Sequence, residues 1–428
     1  MTSSEQELID KAVRDAIYYP VSDQSMQRGE GIYLYDLEDK EYIDCASATF
    51  NLSLGYGHPA VVSAIQQQAA ELIHVTSSFQ SAPISDLVRR LVEISPKNLT
   101  KVHLKVSGGS EANEGAVKMA QYATGKKDVI TLFRSHLGQT MMMASLSGNA
   151  FRRQPFPLTY PGGLHVPDPY CFRCFYGQTR ETCGLMCVDR IDDFIEFASS
   201  GRVAAVMVEP VSGNGGNIVP PDGYFQQLRK FCDERDIALI FDEIQTGIGR
   251  TGQMFAAQHF DVQPDAITVG KGLGGAGAQV AGILTNERLA GLPGNHHSFT
   301  YGANLLAAAA ANATVDIIRQ PEFLANVRSV GNHILARLAE LKKSYPAIGD
   351  VRGIGLMLGM EIIEPDNSPA VKATNHLAAA AQRHGLIIRT SRYGYGNVLK
   401  IRPPLIMTHD EADIVCDRLE MLFREEFA

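Results

Sequence analysis

Three short apolar segments of this chain each stop on a functional group, and that repetition constrains the fold more than any other feature. The runs "VAAVMVEP", "IALIFDE" and "AITVGK" end in Glu209, Asp242 and Lys271, about 30 residues apart, the length of one strand–helix–strand unit. Right-handed crossovers at that spacing keep the strands parallel, so their C-terminal ends share one edge. In open α/β sheets that edge is where ligands bind. Alone, each acid or lysine reads equally well as the start of a solvated loop; the three together favour a site. Two further runs, "VITLF" and "VAGILT", alternate with helical segments such as "GGSEANEGAVKMAQYA" and "YFQQLRKFCDERD". The pattern predicts an α/β fold whose central, mostly parallel sheet carries helices on both faces.

The flanks read differently. Near the start, "GIYLYDLEDKEYIDCAS" shows two alternating runs around an acidic turn, a hairpin pattern. After Thr300 come an Ala-rich helix, the amphipathic segment "FLANVRSVGNHILARLAELKKSY", and two more strands in "GLMLGMEII" and "VLKIRPPL". These form a smaller α+β unit, joined in space by the N-terminal hairpin. The expected division is 1–60 as an N-terminal segment of the small domain, 61–305 as the large ligand-binding domain, and 306–428 as the C-terminal small domain.

Composition excludes several classes of partner. The 428 residues are 45% hydrophobic and 20% charged with a net charge of −8, an ordinary globular balance without a basic block, so nucleic acid is not an expected partner. Nothing supplies the ~18 consecutive apolar residues of a membrane span. The first residues lack the charged head and apolar stretch of a secretory signal, and seven cysteines, mostly clustered, suit a reducing compartment. A cytoplasmic enzyme is the expectation.

The strand-end groups suggest their chemistry. A lysine among glycines, "GKGLGGAG", is open to a flat ligand, and partial burial lowers its pKa enough to make an amine nucleophile able to form a Schiff base. A carboxylate aimed at a ring nitrogen keeps that nitrogen protonated and makes the ring an electron sink, a reason for Asp242 to leave a buried strand. Such a ligand, pyridoxal 5'-phosphate, also needs an anion site, and Gly108, Gly109 and Ser110 precede a helix whose N–H groups and dipole suit a phosphate. An ordinary helix cap is the plainer reading of that stretch. Gly270, Gly272 and Gly275 formally match a dinucleotide fingerprint. The few residues before "VAGILT" leave no room for the helix that such a site requires.

From "GIYLYDLEDKEYIDCASATFNLSLGYGHPAVVSAI" through "SGGSEANE", "EPVSGNGG", "IFDEIQTGIGRTG" and "ITVGKGLGGA" to "TYGANLLAAAAA", the chain resembles the class III, omega-type aminotransferases of fold type I. The resemblance implies that Lys271 forms the internal aldimine and moves protons, that Asp242 pairs with the pyridine nitrogen, and that Gln245 contacts the ring hydroxyl. Gly109 and Ser110 correspond to the phosphate loop. Thr300 matches a threonine that reaches the phosphate of a neighbouring subunit, which implies a homodimer with shared active sites and leaves open a pairing of dimers into tetramers. Glu209 matches a glutamate near the substrate, and Phe50 is a further substrate-side candidate. Glu243 and Arg250 are expected to support structure.

Two departures from the family pattern bear on the substrate. "SHLGQT" puts His136 where relatives have an aromatic residue stacked on the cofactor; an imidazole stacks less broadly and its charge is tunable. In "NVLKIRPPL", Lys400 stands where many relatives carry an arginine for the substrate carboxylate. Arg402, two residues on and on the same strand face, is placed to take over, or both cations face a substrate phosphate. "CFRCFYGQTRETCGLMC" places Cys171, Cys174, Cys183 and Cys187 at a spacing able to bind zinc, but similar cysteines recur in relatives not regarded as metalloenzymes; reduced thiols are the expectation and no metal is assigned. The expected activity is transfer of an amino group between an amino acid or amine and a 2-oxo acid or aldehyde. A phospho-lyase, a racemase and a decarboxylase use the same cofactor residues, while a non-catalytic scaffold would have no need of them.

Overall fold

The computed structural model describes residues 3–16, 24–156 and 160–427. Its centre is a seven-stranded sheet built from β4 (Lys101–His103), β5 (Asp128–Leu132), β6 (Gly163–Val166), β7 (Val203–Val208), β8 (Ala238–Asp242), β9 (Ala266–Val269) and β10 (Gly282–Thr285), with spatial order β4-β10-β9-β8-β7-β5-β6. The five strands from β9 to β6 are mutually parallel. Every residue of β5, β7, β8 and β9 is buried, as expected where helices cover both faces of a sheet. The fold class read from the sequence is thus borne out, with one difference at an edge. β10 runs antiparallel to both β9 and β4, because the short segment after β9 holds only a tight 3₁₀ turn, Lys271–Gly274, and no crossover helix.

Two smaller sheets flank this centre. β1 (Met26–Glu30), β2 (Tyr33–Asp36) and β3 (Glu41–Asp44) form an antiparallel meander, extending the expected hairpin by one strand. β3 then pairs in parallel with β13 (Leu386–Ile387), so the chain's first and last quarters meet. The other sheet, in the order β11 (Ile348–Ile354), β12 (Met357–Ile362), β15 (Val398–Ile401) and β14 (Arg389–Thr390), includes the two late strands expected from sequence. β11 was not anticipated: "IGDVRGI" mixes charge and glycine, and six of its seven residues are only half-buried. Among the described residues no helix is long and apolar enough to cross a membrane.

The parallel strands put Glu209, Asp242 and the turn carrying Lys271 side by side at one edge. Helix Gly109–Thr124 packs across β7, β9 and β10 with its N-terminus at that same edge. β15 carries Lys400 from the smaller sheet, and Arg402 follows directly after its last residue.

Candidate active site

A cavity of about 150 Å³ opens at this edge, lined among others by Gly109, Ser110, His136, Glu209, Asp242 and Lys271. Lys271 occupies a backbone conformation at φ 38°, unusual outside glycine, forced by the turn that follows β9 directly. Burial lowers its pKa, opposed by the nearby Asp242 and Glu209 charges, which favours the neutral, nucleophilic amine.

Asp242 is held rigidly. Its Oδ2 accepts from Asn113 Nδ2 at 2.7 Å and its Oδ1 from the Ile244 N–H at 3.0 Å. Asn113 is fixed in turn: Thr268 Oγ1 donates to its Oδ1 at 2.6 Å, and its amide also donates to the Leu137 carbonyl. Burial raises the Asp242 carboxyl, against the pull of Lys271 and these donors. Asn113 was not singled out from sequence, although it stands three residues after Ser110 on the same helix, the spacing that shares a face.

Glu209 is 6% exposed and bridges two loops, its Oε1 accepting from the His136 N–H and its Oε2 from the Gly213 N–H, both at 2.9 Å. Burial, with the Asp242 charge adding, pushes it up to about 7. Glu243 turns away from the cavity and accepts from the Ala256 and Ala257 N–H groups and from Thr246, anchoring the strand end. Arg250 donates to the Leu356 and Pro403 carbonyls and so ties the loop after β8 to the smaller sheet.

Gly109 and Ser110, expected from sequence to form a phosphate loop, line the same cavity as Lys271. A Cβ at Gly109 would come within 2.8 Å of Ile244 Cδ1, so the wall leaves no space there for a side chain. Ser110 Oγ accepts from the Gln139 N–H at 3.0 Å and keeps its own hydrogen to donate. Gln245 Oε1 accepts from Arg402 Nη1 at 2.5 Å, which leaves the Gln245 amide free to donate into the cavity.

His136 lies on the cavity wall, its ring edge against Tyr393 with centroids 5.8 Å apart, and its buried Nδ1 has no partner among the described residues. Burial pushes its pKa down from 6.5 to about 3, with Lys271, Arg152 and Lys400 adding. The ring is therefore neutral at working pH. A depressed folded-state pKa contributes stability that is present above the unfolded value and lost as pH falls toward the folded one. The His136→Phe variant is thus expected to show a flatter loss of stability between pH 6.5 and about 3, by one proton, in urea unfolding followed across that range. An unchanged slope would mean that His136 titrates normally.

Phe50, Lys400 and Arg402 cluster behind Gln245, which lines the cavity and accepts from Arg402; the Arg402 guanidinium carbon lies 3.4 Å and the Lys400 Nζ 5.2 Å from the centre of the Phe50 ring. Thr300 is not brought to Lys271. It is exposed and lines a separate cavity of about 710 Å³ with Ser107, Glu111 and Tyr301. Cys171, Cys174, Cys183 and Cys187 are free thiols, and among the described residues no group of three or more His, Cys, Asp or Glu is placed to hold a metal ion.

An amine nucleophile, a rigid carboxylate and a helix N-terminus around one narrow cavity define the class of an α/β enzyme that works through a carbonyl-bearing, phosphorylated ring. The chain belongs to the class-III aminotransferase family, whose model matches residues 18–423. It is 36% identical over 392 residues to the leucine/methionine racemase of Thermococcus litoralis, covering 90% of this chain and 87% of that one. It is 35% identical over 396 residues to the acetylornithine aminotransferase of Methanothermobacter thermautotrophicus, covering 92% of each. Among solved structures, the omega transaminase of Pseudomonas jessenii in complex with PMP superimposes with a TM-score of 0.90 at 28% identity, covering 99% of this chain and 98% of that one. The protein is accordingly a fold type I aminotransferase whose cofactor is pyridoxal 5'-phosphate. The cavity fits that cofactor, with a carboxylate for the ring nitrogen, an amine for the carbonyl, a side-chain-free wall at Gly109 and a helix N-terminus for the phosphate.

Proposed function

We propose that Lys271 is the residue that bonds the cofactor and carries protons, in a reaction that moves an amino group from an amino acid or amine to a 2-oxo acid or aldehyde. The observation that carries this is the convergence of Lys271, Asp242 and the Gly109–Thr124 helix N-terminus on one cavity. When bound, the cofactor supplies a carbonyl that condenses with amines and a ring that takes up negative charge from the donor carbon. Asp242 holds the ring nitrogen's proton, and Asn113 holds Asp242. Gln245, with its amide free, would donate to the ring hydroxyl, Gly109 and Ser110 would hold the phosphate, and His136 would pack against the ring as a neutral imidazole. Lys271, whose lowered pKa suits a neutral amine, would be the base that accepts and returns a proton beside the bound cofactor, a positioned transfer worth ~10²–10⁴ in rate. Glu209, Phe50, Lys400 and Arg402 face the substrate.

Two copies of the chain complete the site in this reading, with Thr300 of the partner subunit reaching the phosphate; its exposure and its nearness to Ser107, just before the phosphate loop, support this. The free cysteines suit a cytoplasmic location. A racemase is the second reading, favoured by the 36% identity to the Thermococcus litoralis enzyme. Both are tested by mixing the holoprotein with amino acids, amines and phosphoamines in turn, without an oxo acid, and following its visible absorbance. Stoichiometric conversion to the aminated cofactor is expected. Catalytic consumption with the absorbance unchanged, and deuterium entering the α-position, would instead establish the racemase.

A further inference from the structure

The start of helix Gly109–Thr124 presents different residues to two cavities. Gly109 and Ser110 line the one that holds Lys271, while Ser107 and Glu111 line the larger one together with Thr300 and Tyr301. The first turn of one helix is therefore a wall shared by both, and ordering it on one side restrains it on the other.

His297 ties the Thr300 loop to that turn. It is 3% exposed, and its Nε2 lies 2.7 Å from the Glu111 carbonyl. A carbonyl only accepts, so Nε2 carries the hydrogen, and Nδ1 is left to accept from Lys118 Nζ at 3.4 Å. Burial lowers the pKa of the ring, in keeping with this neutral tautomer. The ring comes so close to the helix only because Gly115 has no side chain, since a Cβ there would lie 2.6 Å from Nε2. The backbone around it is pinned as well. His103 Nε2 donates to the His297 carbonyl at 2.8 Å, and the Phe299 N–H donates to the Lys105 carbonyl at 3.0 Å. Thr300 is the next residue after Phe299, so it moves with this anchor.

In the shared-site reading, on which this inference rests, Gly109 and Ser110 hold the phosphate of a protomer's own site while its Thr300 serves the neighbouring one. We propose that His297 is a positioning residue that couples the two sites of a dimer: by clamping the Thr300 loop onto the first turn of helix Gly109–Thr124, it lets the filling of one site pre-order the other, so that pyridoxal 5'-phosphate loads cooperatively. The cost of ordering the turn and the loop then falls mainly on the first cofactor bound.

Apoprotein dimers of the unmodified chain, His297→Phe, His297→Gln and Thr300→Ala are titrated with pyridoxal 5'-phosphate and followed by visible absorbance. A coupling of about tenfold between two sites gives the unmodified chain an expected Hill coefficient of about 1.5. His297→Phe keeps a ring but loses the donor to Glu111, and it is expected to load with a coefficient of about 1 and with weaker overall affinity. His297→Gln places an amide nitrogen where Nε2 stood and should restore the cooperative curve. If His297→Phe fails to form folded dimers, His297→Asn, whose shorter amide does not reach Glu111, takes its place in the comparison with His297→Gln. A coefficient of about 1 in the unmodified chain, or an undiminished one when the donor is removed, overturns the coupling. Thr300→Ala that weakens loading while the donor-less variant loads like the unmodified chain sinks the coupling and leaves the shared site standing. Thr300→Ala that loads like the unmodified chain sinks the shared site, and the coupling with it.

Discussion

Lys271→Ala is expected to abolish turnover, by at least about 10⁴-fold, because one side chain supplies both the covalent attachment and the proton carrier, and water replaces neither. The geometry explains why no neighbour substitutes. Lys400 is buried beside Phe50 and does not line the cavity, and its pKa is pushed down by burial and by Arg402. The variant should still bind the cofactor through the phosphate loop and Asp242, but without the visible absorbance of the lysine-bound form. Added methylamine, small enough to enter the vacated space, should restore part of the rate. Full activity in Lys271→Ala would remove the basis for the whole assignment.

Asp242→Asn is expected to lower kcat by about 10²–10³, the effect of losing one preorganised charge where charge develops. The carboxylate accepts from Asn113 on one oxygen and from Ile244 on the other, and still faces the cavity. An amide there offers one acceptor oxygen, turns a donor toward Asn113 or Ile244, and cannot hold a proton on the ring nitrogen. The donor set against Asn113 or Ile244 costs stability, and removal of the buried charge offsets that cost. Burial raises the Asp242 carboxyl, so the ionised form costs stability at every pH above its unfolded value, and the amide removes that cost. Steady-state kinetics together with apoprotein melting should therefore separate, with activity falling while stability holds. A parallel collapse of both would make Asp242 a structural residue.

Much of this site was legible beforehand because it depends on local patterns. Runs of apolar residues ending in Glu209, Asp242 and Lys271 at regular spacing imply parallel neighbours, and parallel neighbours imply a shared edge. The absence of a helix after Lys271 was likewise readable from the few residues available, and the tight turn and antiparallel β10 follow from it. What escaped were contacts between elements distant in sequence. Helical spacing from Ser110 puts Asn113 on the site's face but does not name Asp242 as its partner, and nothing local marks Tyr393 as the neighbour of His136, since those pairings exist only once helix, sheet and the late loop are assembled.

By itself, then, the sequence determined the parallel centre and the residues at its edge, because periodicity and spacing are properties of the chain alone, and its motifs carried the resemblance to the family. The tertiary structure decided how those residues are charged and restrained. Burial sets Lys271 low and Glu209 high, and packing leaves Nε and Nη2 of Arg402, beside Phe50, without a partner among the described residues. Desolvation and hydrogen-bond satisfaction depend on every neighbour at once, and those neighbours come from segments hundreds of residues apart.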